Sequence, residues 1–486
     1  MQFNTIDRSK ASLAGLVMFA VAVPAWAAGP SAEAEKNWPA WRGPHNSGVA
    51  PKAKPPVEWS EEKNIRWKME IPGKGHATPI VWGDRVYVQT AIEMKDGGGG
   101  PDGGEEEGGL SPMPAPHHDS SMEVMDAQPD QPRPRRPGGR RGGGFGRGQE
   151  APKNTYRFEV LALDRKTGKT IWTRTVKEEK PHESGHTDAT QASNSPVTDG
   201  EHLYAFFGSR GLHCLTMDGT LKWSKDLGKM QTRNQFGEGS SPALHGDTIV
   251  VQWDHEGDDF IAAFNKKTGE EIWRVARDEH TSWCTPLVID VGGKAQVVAV
   301  AQNHICAYDL KTGKEIWRCG GMTANTIPSP MIDGDLLYCI SGFRGAAALA
   351  IRYAGAKGDI TDSPAIAWKY ERDTPYVPSA VTCGKHLYFI DNNRPLISCI
   401  DKKTGEPVYE KQRLTGIDGV YASLLAADGR VYVAGRNGTT IVLKDGPQLN
   451  VLATNKLDDG FDASPVAVGN ELFLRGRSHL YCIAEK

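Results

Sequence analysis

Asp164–Trp172 reads DRKTGKTIW, and close copies return as NKKTGEEIW at Asn265–Trp273, DLKTGKEIW at Asp309–Trp317 and DKKTGEPVY at Asp401–Tyr409. Each follows a short alternating segment: FEVLALD, FIAAFN, HICAYD or LISCID. An Asp or Asn followed by Lys-Thr-Gly suits a tight turn, because the leading side chain bonds to nearby backbone and Gly accepts positive φ. The repeated unit is therefore a β-hairpin. A second series opens each unit: Thr78-Pro79, Ser195-Pro196, Ser241-Pro242, Thr285-Pro286, Ser329-Pro330, Ser379, Ser423 and Ser464-Pro465. Every member leads into a polar turn and another strand, which makes eight units. From Ser195 to Ser464 the starts lie 46, 44, 44, 50, 44 and 41 residues apart, the length of one four-stranded propeller blade. A solenoid of this period needs capping ends, and none is evident; a closed ring needs none.

One outer aromatic or apolar residue marks each of the first seven units: Trp172, Trp223, Trp273, Trp317, Trp368, Tyr409 and, in the seventh, a position at about Leu452. The eighth stops at LYCIAEK without one, while NIRWKMEI offers Trp67 ahead of the first unit. The sequence thus predicts an all-β, eight-bladed propeller of four-stranded antiparallel blades, closed by an N-terminal strand that joins the last blade. Closure also removes the exposed sheet edges that an open seam would leave.

The repeats LALDRKTGKTIW and ICAYDLKTGKEIW resemble the pyrroloquinoline-quinone (PQQ)-like propeller repeats shared by quinoprotein dehydrogenases and the BamB outer-membrane assembly factors. WPAWRGPHNSG, EHTSWCTPLV and ELFLRGRSHLYCIAEK are similar to a group of exported bacterial PQQ-like proteins. The resemblance spans about residues 38–91 and 156–486 and places the propeller in 38–486. It speaks for fold far more than for activity.

The 486 residues carry 57 Lys plus Arg against 60 Asp plus Glu, a net charge of -3 that argues against a wholesale polyanion binder. Arg8 and Lys10 precede the apolar LAGLVMFAVAV and then Ala25-Trp26-Ala27, so residues 1–27 read as a secretory signal peptide. The expected location is periplasmic or extracellular. The first cysteine is Cys214, so no lipid-attachment cysteine follows the apolar run. Residues 92–154 hold 15 Gly and 9 Pro among 63, which predicts a disordered insertion in the first blade, acidic first and then Arg-Gly-rich. Such a tract can meet a nucleic acid or envelope polyanion; for an exported protein a solvated loop is the favoured reading, and nucleic acid is not the expected partner.

Propellers commonly hold ligands on the axis, which makes the residues just before each Ser/Thr position the candidate site: His76, Asn194, Glu238, Trp283, Asn325, Tyr376, Tyr421 and Asp462. They form either a recognition ring or turn residues around a water-filled channel. The quinoprotein resemblance implies a PQQ ring against an aromatic face, Ca²⁺ on oxygen ligands and an Asp base. Glu238, Asn325 and Asp462 are of the right types, and Trp283 could stack. No two cysteines are adjacent and no CxxCH occurs, so catalytic residues, a metal and a cofactor are not expected under the leading reading. The histidines form no zinc motif, and the eight cysteines, several inside strands, read as buried small side chains. Arg344 in SGFRG and Arg352 read either as anion-binding side chains or, the favoured reading, as members of surface salt bridges. The favoured function is a non-catalytic, exported, BamB-like scaffold for an envelope protein or polymer. The alternatives are a PQQ- and calcium-dependent alcohol or sugar dehydrogenase, and a carbohydrate-binding propeller using Trp283, Tyr376 and Tyr421.

Overall fold

The computed structural model describes Met1, residues 31–94 and residues 150–485. Both the expected signal peptide and the core of the 92–154 insertion fall outside the described residues. The repeats fold into eight antiparallel sheets arranged as the blades of a propeller. Blades 1 to 7 occupy residues 80–179, 197–225, 243–276, 287–319, 331–370, 381–413 and 425–456, and blade 8 combines 466–484 with Ile65–Glu70.

The two middle strands of a blade are sandwiched between neighbouring blades, which is why segments such as Leu336–Ser341 are buried throughout. Outer strands such as Glu271–Ala276 keep one wet face and alternate. The predicted closure is present: Ile65–Glu70 runs antiparallel to His479–Ala484, with Trp67 opposite Cys482. Arg66 and Arg165 both pair with Glu471 across this joint.

The repeated turn and the repeated tryptophan turn out to be one device. Gly168 sits at φ +73°, and a Cβ there would come within 2.7 Å of the Trp67 ring. The Trp67 indole N–H donates to Arg165 O at 2.8 Å, so the outer strand of one blade is stapled over the glycine turn of the next. Trp172, Trp223, Trp273 and Trp368 lie over Gly219, Gly269, Gly313 and Gly405 in the same way. Within the turn, Asp164 Oδ1 accepts from both the backbone N–H and the hydroxyl of Thr167. Blade 7 departs from the expectation of an outer residue at Leu452. The side chain opposite Val442, at the place of the tryptophans, is the small Ala453, while Leu452 falls on the outward-facing bulge residue that Ile171 and Ile272 occupy in blades 1 and 3. Trp59, from the N-terminal segment, joins the hydrophobic cluster against which Ala453 packs.

At the inner strands, the Ser/Thr series closes a second ring. The backbone N–H of Thr78 donates to Ser195 Oγ, Ser195 to Ser241, Ser241 to Thr285 and Thr285 to Ser329. Ser329 then donates to Ser379, Ser379 to Ser423, Ser423 to Ser464, and Ser464 back to Thr78 Oγ1 at 3.1 Å. A hydroxyl is required at every start because it is the acceptor for its neighbour's buried N–H.

The flanks of the insertion are more ordered than composition suggests. Ile92 pairs with Arg157 and Glu93 with Tyr156, and Met94 N–H donates to Thr155 O at 2.9 Å. The strand pattern of Arg85–Glu93 and Tyr156–Asp164 carries the ladder past the expected boundary, so the insertion joins the second and third strands of blade 1. All eight cysteines are free and buried.

Candidate functional site

The eight blade-start side chains gather at one end of the axis in three groups. In the first, Asn194 Nδ2 donates to Ser240 O at 2.6 Å. Glu238 accepts from Ser209 N–H at 2.6 Å and from the Arg210 guanidinium at 2.9 Å. Trp283 Nε1–H donates to Gly237 O at 2.7 Å. The space between Asn194, Glu238 and Gln191 is about 10 Å³, room for roughly one water.

In the second, Asn325 lies 3.5 Å from the Tyr376 hydroxyl, and its buried Oδ1 has no partner among the described residues. Its backbone has φ +51°, in the left-handed region that Asn tolerates. Phe343 covers the Tyr376 ring at 4.7 Å. The neighbouring Arg344, also left-handed at φ +52°, is turned onto the Phe343 ring rather than into a salt bridge. Arg352 donates to Pro364 O, so neither arginine has an acidic partner among the described residues, against expectation.

The third group is ionic. The buried Asp462 carboxylate receives Arg436 Nε at 2.7 Å and Arg477 Nε at 3.1 Å, with His76 Nε2 at 3.7 Å. Arg436 also reaches Asp188 at 2.6 Å and lies 4.1 Å from the Tyr421 ring centre, while the Tyr421 hydroxyl donates to Asp188. Burial pushes the His76 imidazole down to about 4 despite Asp462. Burial works to raise the Asp188 carboxyl, and Arg436 outweighs it, leaving that group below its ordinary range.

Asp188, Arg436 and Arg477 were not among the sequence candidates. Arg436 and Arg477 follow the middle strands Arg430–Ala434 and Glu471–Arg475 of blades 7 and 8. Asp188 lies in the long connection between blades 1 and 2, whose Glu183 takes Thr232 N–H and hydroxyl while Gly185 and His186 bond to Gln235 and Phe236. This connection binds the first blades to blade 7 across the mouth. Its length, and its density of His, Asp, Glu and Thr, was the available clue.

The opposite end of the axis, formed by the hairpin turns, is different. Trp38–Ala50 threads into it: Trp38 bridges Val81, and Val49–Ala50 adds a parallel strand to blade 7. Among the described residues Arg42 has no carboxylate partner; it is buried and donates to the carbonyls of Leu424, Ser47 and Ala380. Burial pushes its guanidinium down to about 9. Beside this segment opens a cavity of about 1050 Å³, walled by Leu244, Val288, Ile332 and Thr382 and rimmed by aspartates. Asp199, Glu201 and His202 on that side bring three donors within 4.8 Å of one another, but the Lys266 ammonium already lies 2.9 Å from Asp199.

The donor set does not fit a calcium-bound quinone. Glu238, Asn325 and Asp462 stand in separate groups on blade starts 3, 5 and 8. Glu238 and Asp462 are held by arginines, and only about 10 Å³ is open beside Glu238. A Ca²⁺ site needs several oxygens converging within about 2.3–2.6 Å of one point.

Residues 157–411 match the family described as outer membrane protein assembly factor BamB. No curated protein sequence matches the chain. Among solved structures, a europium-containing methanol dehydrogenase aligns at a TM-score of 0.59 with 10% identity, covering 93% of this chain and 99% of that one. BamB from Moraxella catarrhalis aligns at 0.49 with 13% identity, covering 66% and 91%. At such identities the likeness is one of fold. Among the described residues no helix is long and apolar enough to cross a membrane. With its matched repeats extending over more than half of the sequence, the chain belongs to the BamB-type PQQ-repeat propeller family.

Proposed function

We propose that this chain is an exported, non-catalytic scaffold whose propeller holds an envelope protein or polymer in the periplasm or outside the cell. The observation that carries the reading is the state of the blade-start residues. Their polar groups are largely engaged with one another and with the 180–192 connection, leaving about 10 Å³ in the crevice lined by Asn194 and Glu238. Such a surface supports recognition by a rigid partner more readily than the reorganisation a reacting substrate demands. In this reading Asp188, Arg436, Arg477 and Tyr421 present a mixed-charge patch, with His76, Trp283 and Tyr376 around it. Membership of an assembly-factor family supports a protein partner.

The carbohydrate alternative is weakened because Arg436 covers the Tyr421 ring and Phe343 covers that of Tyr376, so these aromatics do not offer both faces to a sugar. Two measurements test the scaffold reading. Photo-crosslinking from position 421 in the native envelope should recover a discrete partner, lost on Arg436→Glu. Incubation with PQQ and Ca²⁺, followed by an absorption spectrum and dye-linked oxidation, should give no retained quinone; stoichiometric retention with turnover would overturn the scaffold reading.

A further inference from the structure

The inner strand of each blade has its outer neighbour on one side and the axis on the other. In an antiparallel hairpin, alternate residues direct N–H and C=O away from their own partner strand. The third residue after each ring Ser/Thr is such a position. In blades 1, 2 and 7 these residues are Val81, Thr198 and Ala426, and their N–H groups donate to Trp38 O, Pro39 O and Gly48 O, each at 2.9 Å. The chain's own N-terminal segment therefore occupies these edges by adding backbone to them. In blade 8 the equivalent Ala467 packs in one cluster with Trp38 and Ala53.

Blades 3, 4, 5 and 6 carry Leu244, Val288, Ile332 and Thr382 at the same position, in the same hairpin parity. All four line the 1050 Å³ cavity, and among the described residues none of their N–H groups has an acceptor. Among the described residues, three axial edges are thus hydrogen-bonded by polypeptide, that of blade 8 is covered by packing alone, and the four facing the cavity are open.

We propose that the open half is a docking groove for an extended segment of a partner protein, which adds its backbone to the inner edges of blades 3 to 6. This rests on the scaffold reading and names the form in which the partner is held. The chain's own segment indicates the chemistry. Trp38 and Pro39 are consecutive, and they serve consecutive blades, so about four residues at strand spacing would span the free donors. The walls at Leu244, Val288 and Ile332 favour apolar side chains. The rim favours a cation: Asp333 and Asp199 are paired with Lys402 and Lys266, whereas Asp290 has no basic partner among the described residues. The occupant is an apolar segment bearing Lys or Arg.

The test begins with a displayed library of linear peptides, each about a dozen residues long, selected on the full chain. Selected peptides should be apolar with a basic residue and should slow hydrogen exchange at the amides of Leu244, Val288, Ile332 and Thr382. Ile332→Pro removes a donor that the fold does not use, at an edge where proline is tolerated. It should weaken binding at least about tenfold, the loss of roughly one well-made hydrogen bond to the peptide. Should that variant misfold, backbone N-methylation of the peptide at alternate residues gives the same information on the unaltered protein. Failure to select any peptide, or binding that leaves the four amides unprotected, overturns the groove. So does finding these amides already protected in chains that retain residues 1–27 and freed in chains beginning at Ala28, since the occupant is then the chain's own leader. If envelope crosslinking at position 421 still recovers a partner while peptides fail, the groove falls and the scaffold reading stands.

Discussion

Thr78 receives the last hydrogen bond of the inner ring, from Ser464, across the joint where the two ends of the propeller meet. Thr78→Val keeps the volume and removes the acceptor, leaving the buried Ser464 N–H without a partner; an unsatisfied buried donor costs about 1–3 kcal/mol. Ser241→Ala makes the same deletion inside the array, where Ser241 accepts from Ser195 at 2.9 Å. In a closed ring the two losses should be similar. In an array that opens readily at the seam, Thr78→Val would cost almost nothing while Ser241→Ala kept its full effect. Urea unfolding read by both tryptophan fluorescence and far-UV circular dichroism measures the difference, coincident transitions justifying a single free energy. Thr78→Ser, which retains the acceptor, should recover most of the loss. The sites belong to different joints, so the double variant should lose close to the sum. A seam loss below about 0.5 kcal/mol beside a full interior loss would refute closure of the ring in solution.

Trp67→Ala should cost about 3–5 kcal/mol, because it empties a buried indole site at the same joint and strands the Arg165 carbonyl; thermal unfolding of the variant checks it. Gly168→Ala should also destabilise, since the new methyl meets the Trp67 ring at a left-handed φ, and Trp67→Ala should relieve the steric part of that penalty in the double variant. Burial pushes His213 down to about 4, as it does His76, so the unfolded chain takes up protons that the folded chain refuses between about pH 6.5 and 4. Stability should therefore be full above pH 6.5 and fall on acidification through that window, by up to about 3 kcal/mol per histidine; His213→Gln should flatten the slope in urea titrations across it. The cysteines are buried, and burial pushes Cys284, Cys399 and Cys482 up to about 12. Iodoacetamide should leave the folded chain unmodified and label all eight after denaturation, while reducing agent should not change the melting temperature.

The blade number, the seam strand and the hairpin turns were legible because each rests on local chemistry repeated several times: Asx turns, alternating strands and a tryptophan at a fixed distance from a glycine. Leu452 misled because the position equivalent to the tryptophans is filled by the small Ala453, so the nearest large apolar side chain was the bulge residue beside it. At the site, position could be read but partnership could not. Asp462 lies where the repeat placed it, yet its meaning depends on Arg436 and Arg477, which sit beyond the ends of middle strands, and on Asp188, some 270 residues away in sequence. Ion pairs of this kind follow from the curvature of the ring, which one-dimensional spacing does not encode. The turn-end cavity was missed for a related reason: WPAWRGPHNSG reads as a loop until its carbonyls are seen against the inner strands.

The joint between Ile65–Glu70 and His479–Ala484 gives the molecule a built-in memory of its synthesis. A strand made among the first must wait, unmated, until nearly every other strand has been translated. A ribosome that stalled before position 479 would release a product with that strand bare and ready to pair with a stranger. Pairing this last strand and covering an open sheet edge are here the same event, so a copy cut short before position 479 carries that single loose ribbon.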